Sequence, residues 1–96
     1  MNHATDAALD RLDDLLAGLR ALAGLKERKR GVFYWKSSAF LHFHEDSAGI
    51  FADIRGDEGW TRLPVNTPTE RHALVTEAGR IVDGRNVAPA AKRKSG

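Results

Sequence analysis

The chain has 96 residues, which is enough for one small domain and too few for two. Apolar residues make up 42% of it and charged residues 29%, a composition typical of a globular protein rather than a disordered polyelectrolyte. The sequence contains no cysteine, which excludes disulfide bonds and zinc sites built on thiolates. Because 15 lysines and arginines accompany 13 aspartates and glutamates, the net charge is only +2 and does not by itself favour a nucleic-acid partner.

The start of the chain predicts a cytoplasmic protein. The first ten residues, MNHATDAALD, are polar and acidic, whereas a secretory signal begins with basic residues and continues with an apolar run. No apolar run approaches the length of about 20 residues that a membrane-spanning helix needs. We therefore expect no membrane partner.

Residues 5–25 carry leucines and alanines at steps of three and four, which predicts a helix with one apolar face. Thr5 is the predicted N-cap, and Asp6 follows it in the first turn, where the helix dipole favours an anion. The basic residues 26–30 would then lie at the C-terminal end of this helix. Gly31 is predicted to end it.

Residues 32–66 have a different character, because all seven aromatic residues lie between Phe33 and Trp60 and turn signals recur at short intervals. This pattern predicts a small sheet. The intervening loops of two or four residues are long enough only for antiparallel hairpins. The predicted strands span residues 32–36, 39–45, 50–55 and 60–65.

The sequence Thr67-Pro68-Thr69-Glu70 is a capping box with proline at the first helical position, so a second helix is predicted to start here. Gly84 is predicted to end it. The remaining residues, 85–96, are basic and poor in apolar side chains, and we expect them to form a flexible tail. A single domain would then span residues 1–84.

Two amphipathic helices and one apolar sheet face predict an α+β fold in the order α-β-β-β-β-α. In this two-layer sandwich, both helices cover one face of a four-stranded antiparallel meander. The loop lengths pair Phe43 with Ala52 and Asp53 with Arg62. If residues 37–38 form the first turn, Tyr34 faces Leu41 on the covered side.

The opposite face of the predicted sheet is left without a covering layer, and half of its residues are aromatic. Large exposed apolar patches commonly mark a partner site. We therefore predict a non-enzymatic binding or interaction module that uses this face for a protein or a small ligand. The residues predicted to form it are Phe33, Trp35, Phe40, His42, His44, Phe51, Asp53, Arg55, Trp60 and Arg62.

A metal site is an alternative interpretation of part of this face. His42 and His44 point the same way on one strand, and Asp53 opposite His42 could be a third ligand. Arg62 competes for Asp53, and two histidines on a strand are only a weak signal for a metal site. No cofactor other than this metal is expected. His3 and His72 are interpreted as ordinary surface residues.

The same face is also compatible with nucleic-acid binding, with self-association and with catalysis. Aromatic side chains interleaved with Lys36, Arg55 and Arg62 are typical of single-stranded nucleic-acid platforms, although residues 31–66 contain three basic and five acidic side chains. Two such faces could instead stack as a homodimer. A Ser-His-Asp triad drawn from Ser37 or Ser38, with His42 and Asp53, lacks any signal for an oxyanion hole.

Residues 31–46 read GVFYWKSSAFLHFHED, and residues 49–53 read GIFAD. This part of the chain resembles a family of short uncharacterised bacterial proteins that share the pattern FY-x-K-S-x-AFLHFHED followed by G-x-FAD. The resemblance covers residues 31–66 and implies a soluble bacterial protein in which the sheet is the most characteristic part. It implies no activity, ligand or partner.

Overall fold

The structure is a computed structural model that describes residues 2–95, with side chains up to residue 86. It confirms the predicted α+β class, with helices packed on an antiparallel sheet, and it adds two strands to the four expected. The elements in chain order are β1 (Asn2–His3), α1 (Asp6–Asp10), α2 (Asp13–Arg20), β2 (Leu25–Lys29), β3 (Val32–Trp35), β4 (Ser38–Asp46), β5 (Gly49–Gly56), β6 (Gly59–Pro64) and α3 (Pro68–Ser95).

The sheet has the strand order β2-β3-β4-β5-β6, and every neighbouring pair is antiparallel. The short strand β1 pairs with the C-terminal half of β4, on the edge that β3 occupies at the other half. The predicted registers of the second and third hairpins are confirmed, with Phe43 opposite Ala52 and Asp53 opposite Arg62. One edge of β4 is thus shared by two strands.

The predicted helix over residues 5–25 is divided into α1 and α2, and its end is wrong. Thr5 caps α1 as predicted, because its hydroxyl accepts a hydrogen bond from the Ala8 N–H. Leu12 then leaves the helical conformation, with φ −110° and ψ 20°. After α2, Gly24 has φ +98° and the chain turns into β2, so the basic residues 26–29 belong to a strand.

Glu27 connects three parts of this region. Its carboxylate accepts two hydrogen bonds from the Arg20 guanidinium of α2 and one, of 2.8 Å, from the Gly31 N–H in the β2–β3 turn. The Arg20 hydrogen bonds, with a smaller contribution from Gly31, lower the pKa of Glu27. The carboxylate therefore fixes β2 against α2 and closes its hairpin.

The core lies between the helices and one face of the sheet. Helix α2 contacts α3 and β2, and α3 contacts β5 and β6. The helices contribute the leucines of α1 and α2 and the apolar positions of α3, while the strands contribute alternate residues. The core side chains are Ala8, Leu9, Leu12, Leu15, Leu16, Leu19, Phe33, Phe40, Leu41, Phe43, Ile50, Ala52, Ile54, Val65, Leu74, Ala78, Ile81 and Val82.

The first hairpin differs from its prediction because β4 contains a bulge. Phe33 pairs with Leu41 and Tyr34 pairs with Ala39, so Phe40 is an extra residue without a direct partner on β3. Trp35 pairs with Ser38, which moves the turn to residues 36–37. A bulge directs neighbouring side chains to the same side of a sheet, and Phe40 and Leu41 are both fully buried.

Helix α3 begins with the predicted capping box, in which the Thr67 hydroxyl accepts from the Glu70 N–H and the Glu70 carboxylate accepts from the Thr67 N–H. The prediction that Gly84 ends this helix is wrong, since α3 continues to Ser95. Gly84 does not have the positive φ of a helix-ending glycine. The prediction of a flexible tail concerns residues 85–96, most of whose side chains lie outside the described part of the structure. Within residues 2–95, no helix is both long and apolar enough to cross a membrane.

The two glycines Gly84 and Gly24 should respond oppositely to substitution by alanine. Gly84→Ala should raise the free energy of unfolding by about 0.5–1 kcal/mol, because glycine inside a helix costs this much relative to alanine. Among the side chains up to residue 86, none lies within 4 Å of the position that its Cβ would take. Gly24→Ala should lower the free energy by more than about 1 kcal/mol, because its Cβ would collide with the Trp35 ring at a positive φ. Urea unfolding measures both, and destabilisation by Gly84→Ala would contradict a helix that runs through this residue.

Replacement of Glu27 should produce a pH-dependent loss of stability. A carboxyl group whose pKa is lowered by folding stabilises the fold above its unfolded pKa, and this contribution disappears as the pH falls through the folded pKa. Glu27→Gln should therefore reduce the melting temperature at pH 7. The difference in melting temperature between this variant and the natural chain should shrink below about pH 4.5. The matched control is Glu58→Gln at the exposed tip of the β5–β6 hairpin. An equal loss at pH 7 and pH 3 would contradict the role of the charge.

Candidate binding face

The sheet face that points away from the helices is called the open face below. Along β4 and β5, its members alternate with the buried residues Leu41, Phe43, Ala52 and Ile54. Seven of the ten residues predicted for this face lie on it, and residues of β1, β2 and β3 join them. The open face consists of His3, Lys26, Arg28, Tyr34, His42, His44, Phe51, Asp53, Arg55, Trp60 and Arg62.

The prediction is wrong for Phe33, Trp35 and Phe40, which lie on the helix side of the sheet. Phe33 and Phe40 are buried in the core, with exposures of 1% and 0%. Trp35 is partly buried against the core, and its ring lies on Gly24. The physical reason is the extra residue in β4, which reverses the alternation of β3 relative to that of the later strands.

The open face includes residues that the sequence pattern places elsewhere. Lys26 lies opposite Tyr34, and the Arg28 guanidinium carbon lies 4.8 Å from the centre of the Tyr34 ring. Strand β2 is missed because basic side chains are also typical of the C-terminal end of a helix, to which the sequence pattern assigns residues 26–30. His3 lies opposite His44, although a two-residue strand leaves no periodic signal in a sequence. His72, in contrast, is exposed on α3, as expected.

Three histidines form a cluster at the centre of the open face. The ring centres of His42 and His44 are 4.8 Å apart, and the His3 ring stacks on His44 at 5.1 Å. His3 and His42 approach edge to face at 6.2 Å. Strand pairing explains this convergence, since β1 brings His3 beside His44 and the spacing of two places His42 on the same face.

Asp53 connects the histidine cluster to Arg62. The Arg62 guanidinium donates two hydrogen bonds to the carboxylate, of 2.7 Å from Nε and 2.8 Å from the terminal nitrogen. His44 Nε2 lies 3.1 Å from Asp53 Oδ2. The Arg62 hydrogen bonds are the main cause that lowers the pKa of Asp53, and the nearby histidines contribute to the same direction. Asp53 is therefore ionised and held in one orientation.

The surroundings of His42 disfavour its charged form. Burial is the main cause that lowers the pKa of His42, and His44, His3 and Arg62 add to this effect, while Asp53 opposes it. Within the described part of the chain, the Nδ1 atoms of His42 and His44 are both shielded from solvent and have no hydrogen-bond partner. Buried polar atoms are usually satisfied, so this pair is an unusual feature of the face.

Trp60 covers one side of the histidine cluster and is accessible to a partner. Its ring centre lies 5.1 Å from that of His42. Among the described side chains, Trp60 is the only large apolar one that is exposed, with 47% of its surface accessible. The Arg55 guanidinium carbon lies 6.0 Å from this ring, at the outer limit of a cation–π contact.

A shallow cavity of about 560 Å³ lies beside the cluster, between β1, α1 and the β2–β3 turn. His3 and Tyr34 line its side toward the open face, and Asp6 and Arg30 line its side toward α1. Arg30 forms ion pairs with Asp6 and Asp10, at 3.1 and 2.7 Å. These pairs satisfy the charged groups at this side of the cavity.

The candidate catalytic triad is not assembled. Ser38 starts β4 and lies four residues before His42, which corresponds to about 13 Å along a strand. Ser37 lies in the adjacent turn and is exposed. Asp53 contacts His44 and Arg62 instead.

Comparisons with known proteins find no match to a protein family, to a curated protein or to a solved structure. The resemblance to short bacterial proteins therefore stays a prediction.

The dependence of Asp53 on Arg62 can be tested directly. Arg62→Ala should raise the pKa of Asp53, because it removes the largest cause of its lowering. Titration of the Asp53 carboxyl carbon by NMR measures this shift, and Arg80→Ala on α3 is the matched control. Since a lowered pKa stabilises the fold only above the unfolded pKa, the stability lost by Arg62→Ala should diminish below about pH 4. An unchanged Asp53 titration would contradict the assignment.

Proposed function

We propose that this protein is a non-enzymatic binding module and that its open face binds single-stranded nucleic acid. The observation that supports this proposal is the distribution of aromatic rings over the sheet. Tyr34 on β3, Phe51 on β5 and Trp60 on β6 share the open face. Sheets that bind single strands use such rings as platforms on which successive bases stack.

The charges of the open face favour an anionic partner. Lys26, Arg28 and Arg55 are exposed cations, while the carboxylate of Asp53 is neutralised by Arg62. The acidic residues near this face lie at the hairpin tips, at positions 46, 57 and 58. Basic side chains around stacked bases can follow the phosphate backbone.

Two arginines already lie near aromatic rings of the face. Arg28 lies over Tyr34 and Arg55 lies near Trp60. A base that stacks on either ring would displace the guanidinium, which could then contact the phosphate of the same nucleotide. The free protein thus keeps, beside two of its rings, basic groups that the ligand itself can bind.

The dimensions of the face suit a short strand of nucleotides. Five neighbouring strands from β2 to β6 span about 19 Å at a spacing of about 4.8 Å. This width corresponds to a few nucleotides, at the lower end of the site sizes of small binding domains. A duplex is too wide to present its bases to such a flat surface.

A homodimer and an acidic peptide fit this surface less well. Two open faces stacked as a homodimer would bring like charges together, because the same patch meets itself across a two-fold axis. An acidic peptide would satisfy the cations, but it would leave rings on neighbouring strands without planar groups to stack on them.

The test is fluorescence anisotropy with labelled oligo-dT and oligo-U of about ten nucleotides. Trp60→Ala should weaken binding by about 5- to 150-fold, the loss expected for one stacked base. The double variant Lys26→Ala, Arg28→Ala should weaken binding and reduce the slope of log K against log salt by about 0.7 for each phosphate that the protein no longer neutralises. Arg80→Ala on α3 removes a positive charge from the opposite layer. It should leave the binding affinity and its salt dependence unchanged.

Several outcomes would overturn the proposal. Absence of binding to either strand at low salt, or an equal loss with Arg80→Ala, would refute it. Equal affinity for poly-glutamate would identify an acidic protein partner instead. A mass that doubles with concentration in sedimentation, and returns to that of the monomer in Trp60→Ala, would identify self-association through this face.

A further inference from the structure

We propose that the histidine cluster of the open face is a binding site for a divalent late transition metal ion such as Zn²⁺. His3, His42 and His44 would be its ligands, and Asp53 would position His44. This site does not depend on nucleic-acid binding, because its ligands are histidines. The proposed function rests on other side chains, the rings of Tyr34, Phe51 and Trp60 and the lysine and arginines of the open face.

The contact between His44 and Asp53 determines which nitrogen of His44 is available. His44 Nε2 lies 3.1 Å from the Asp53 carboxylate, which is itself fixed by two hydrogen bonds from Arg62. The negative charge beside Nε2 favours the tautomer that carries its proton on Nε2, which leaves the lone pair on Nδ1. In this arrangement, Nδ1 of His44 is the free donor atom, and it has no hydrogen-bond partner among the residues that the structure describes.

This arrangement matches a recurrent feature of metal centres. A histidine that binds a metal through one nitrogen commonly donates the other N–H to a carboxylate, which fixes the ring and raises its basicity. Asp53 is suited to this role and not to that of a ligand, because Arg62 binds both of its oxygens. The Arg62 contact disfavours a site in which Asp53 is a ligand, but it supports a site in which Asp53 orients a histidine.

His42 supplies the second donor. Its Nδ1 is also shielded from solvent and has no hydrogen-bond partner among the residues whose side chains the structure describes. One donor atom from each of His42, His44 and Asp53 lies within 4.8 Å of the others. Donors around a tetrahedral ion with bonds of 2.0–2.1 Å are about 3.3 Å apart, so the imidazoles must rotate toward one another to bind one ion.

His3 is placed to complete the ligand set. It is exposed, belongs to a strand of two residues and stacks on His44 at 5.1 Å. Its side chain can therefore rotate toward an ion with little rearrangement of the core. Imidazole ligands suit zinc, copper and nickel, and three of them leave one coordination position open.

The experiment titrates Zn²⁺ alone into the full chain, without nucleic acid, and follows it by calorimetry and by NMR of the histidine ring nitrogens. One ion should bind, and one nitrogen each of His42 and His44 should shift together. His42→Ala and His44→Ala should each weaken binding by at least 100-fold, and His3→Ala by about 10-fold or more. His72→Ala removes an exposed histidine from α3 and should change nothing.

The role of Asp53 has its own test. Asp53→Asn should weaken Zn²⁺ binding by about 10- to 100-fold, as is typical when the partner of a ligating histidine is removed. It should also change the tautomer of His44 in the metal-free protein, which the ring nitrogen shifts report. A merely structural role for Asp53 would leave that tautomer unchanged.

The proposal fails if no histidine shifts at millimolar Zn²⁺, if His42→Ala binds Zn²⁺ as the natural chain does, or if His72→Ala weakens binding equally. Circular dichroism verifies that each variant is folded, and His44→Gln replaces His44→Ala if the latter unfolds. Arg28→Ala separates the two proposals, because it should weaken oligonucleotide binding and leave Zn²⁺ binding unchanged.

Discussion

The structure depends on a single constraint, the burial of every second side chain of β4 and β5 beneath the helices. Leu41, Phe43, Ala52 and Ile54 are nearly inaccessible to solvent, so the register of this hairpin cannot slip by one residue without exposing all of them. The same alternation fixes the residues between them on the opposite side. His42, His44 and Asp53 face outward together because their neighbours must face inward.

The bulge at Phe40 divides the aromatic residues between the two sides of the sheet. Phe33 and Phe40 strengthen the core, while Tyr34 replaces them on the open face. The rings on the open face are therefore fewer than the sequence indicates, but they lie on separate strands and are accompanied by the cations of β2. This distribution favours a ligand with several planar groups over a single apolar one.

The sequence is sufficient to predict the α+β class, the caps at Thr5 and Thr67, and the registers from β4 to β6. Those registers follow from loops of fixed length between strands that alternate strictly. The first hairpin cannot be predicted in the same way, because one inserted residue reverses the alternation and leaves no mark in the pattern. The position of His3 depends on a pairing across more than 40 residues, and local periodicity carries no information about such contacts. Gly84 gives a false signal because a glycine ends a helix only where the backbone needs a positive φ.

The composition of β2 also affects how the protein behaves at high concentration. This strand forms one lateral border of the sheet, and three of its five side chains, Lys26, Arg28 and Lys29, are exposed and basic. At the opposite border, β6 ends with Pro64, which has no amide hydrogen to offer to an incoming strand. Charged residues and proline at such borders oppose the addition of strands from other molecules. Both edge strands of the sheet are thereby protected against edge-to-edge aggregation, even though the open face between them carries several aromatic rings.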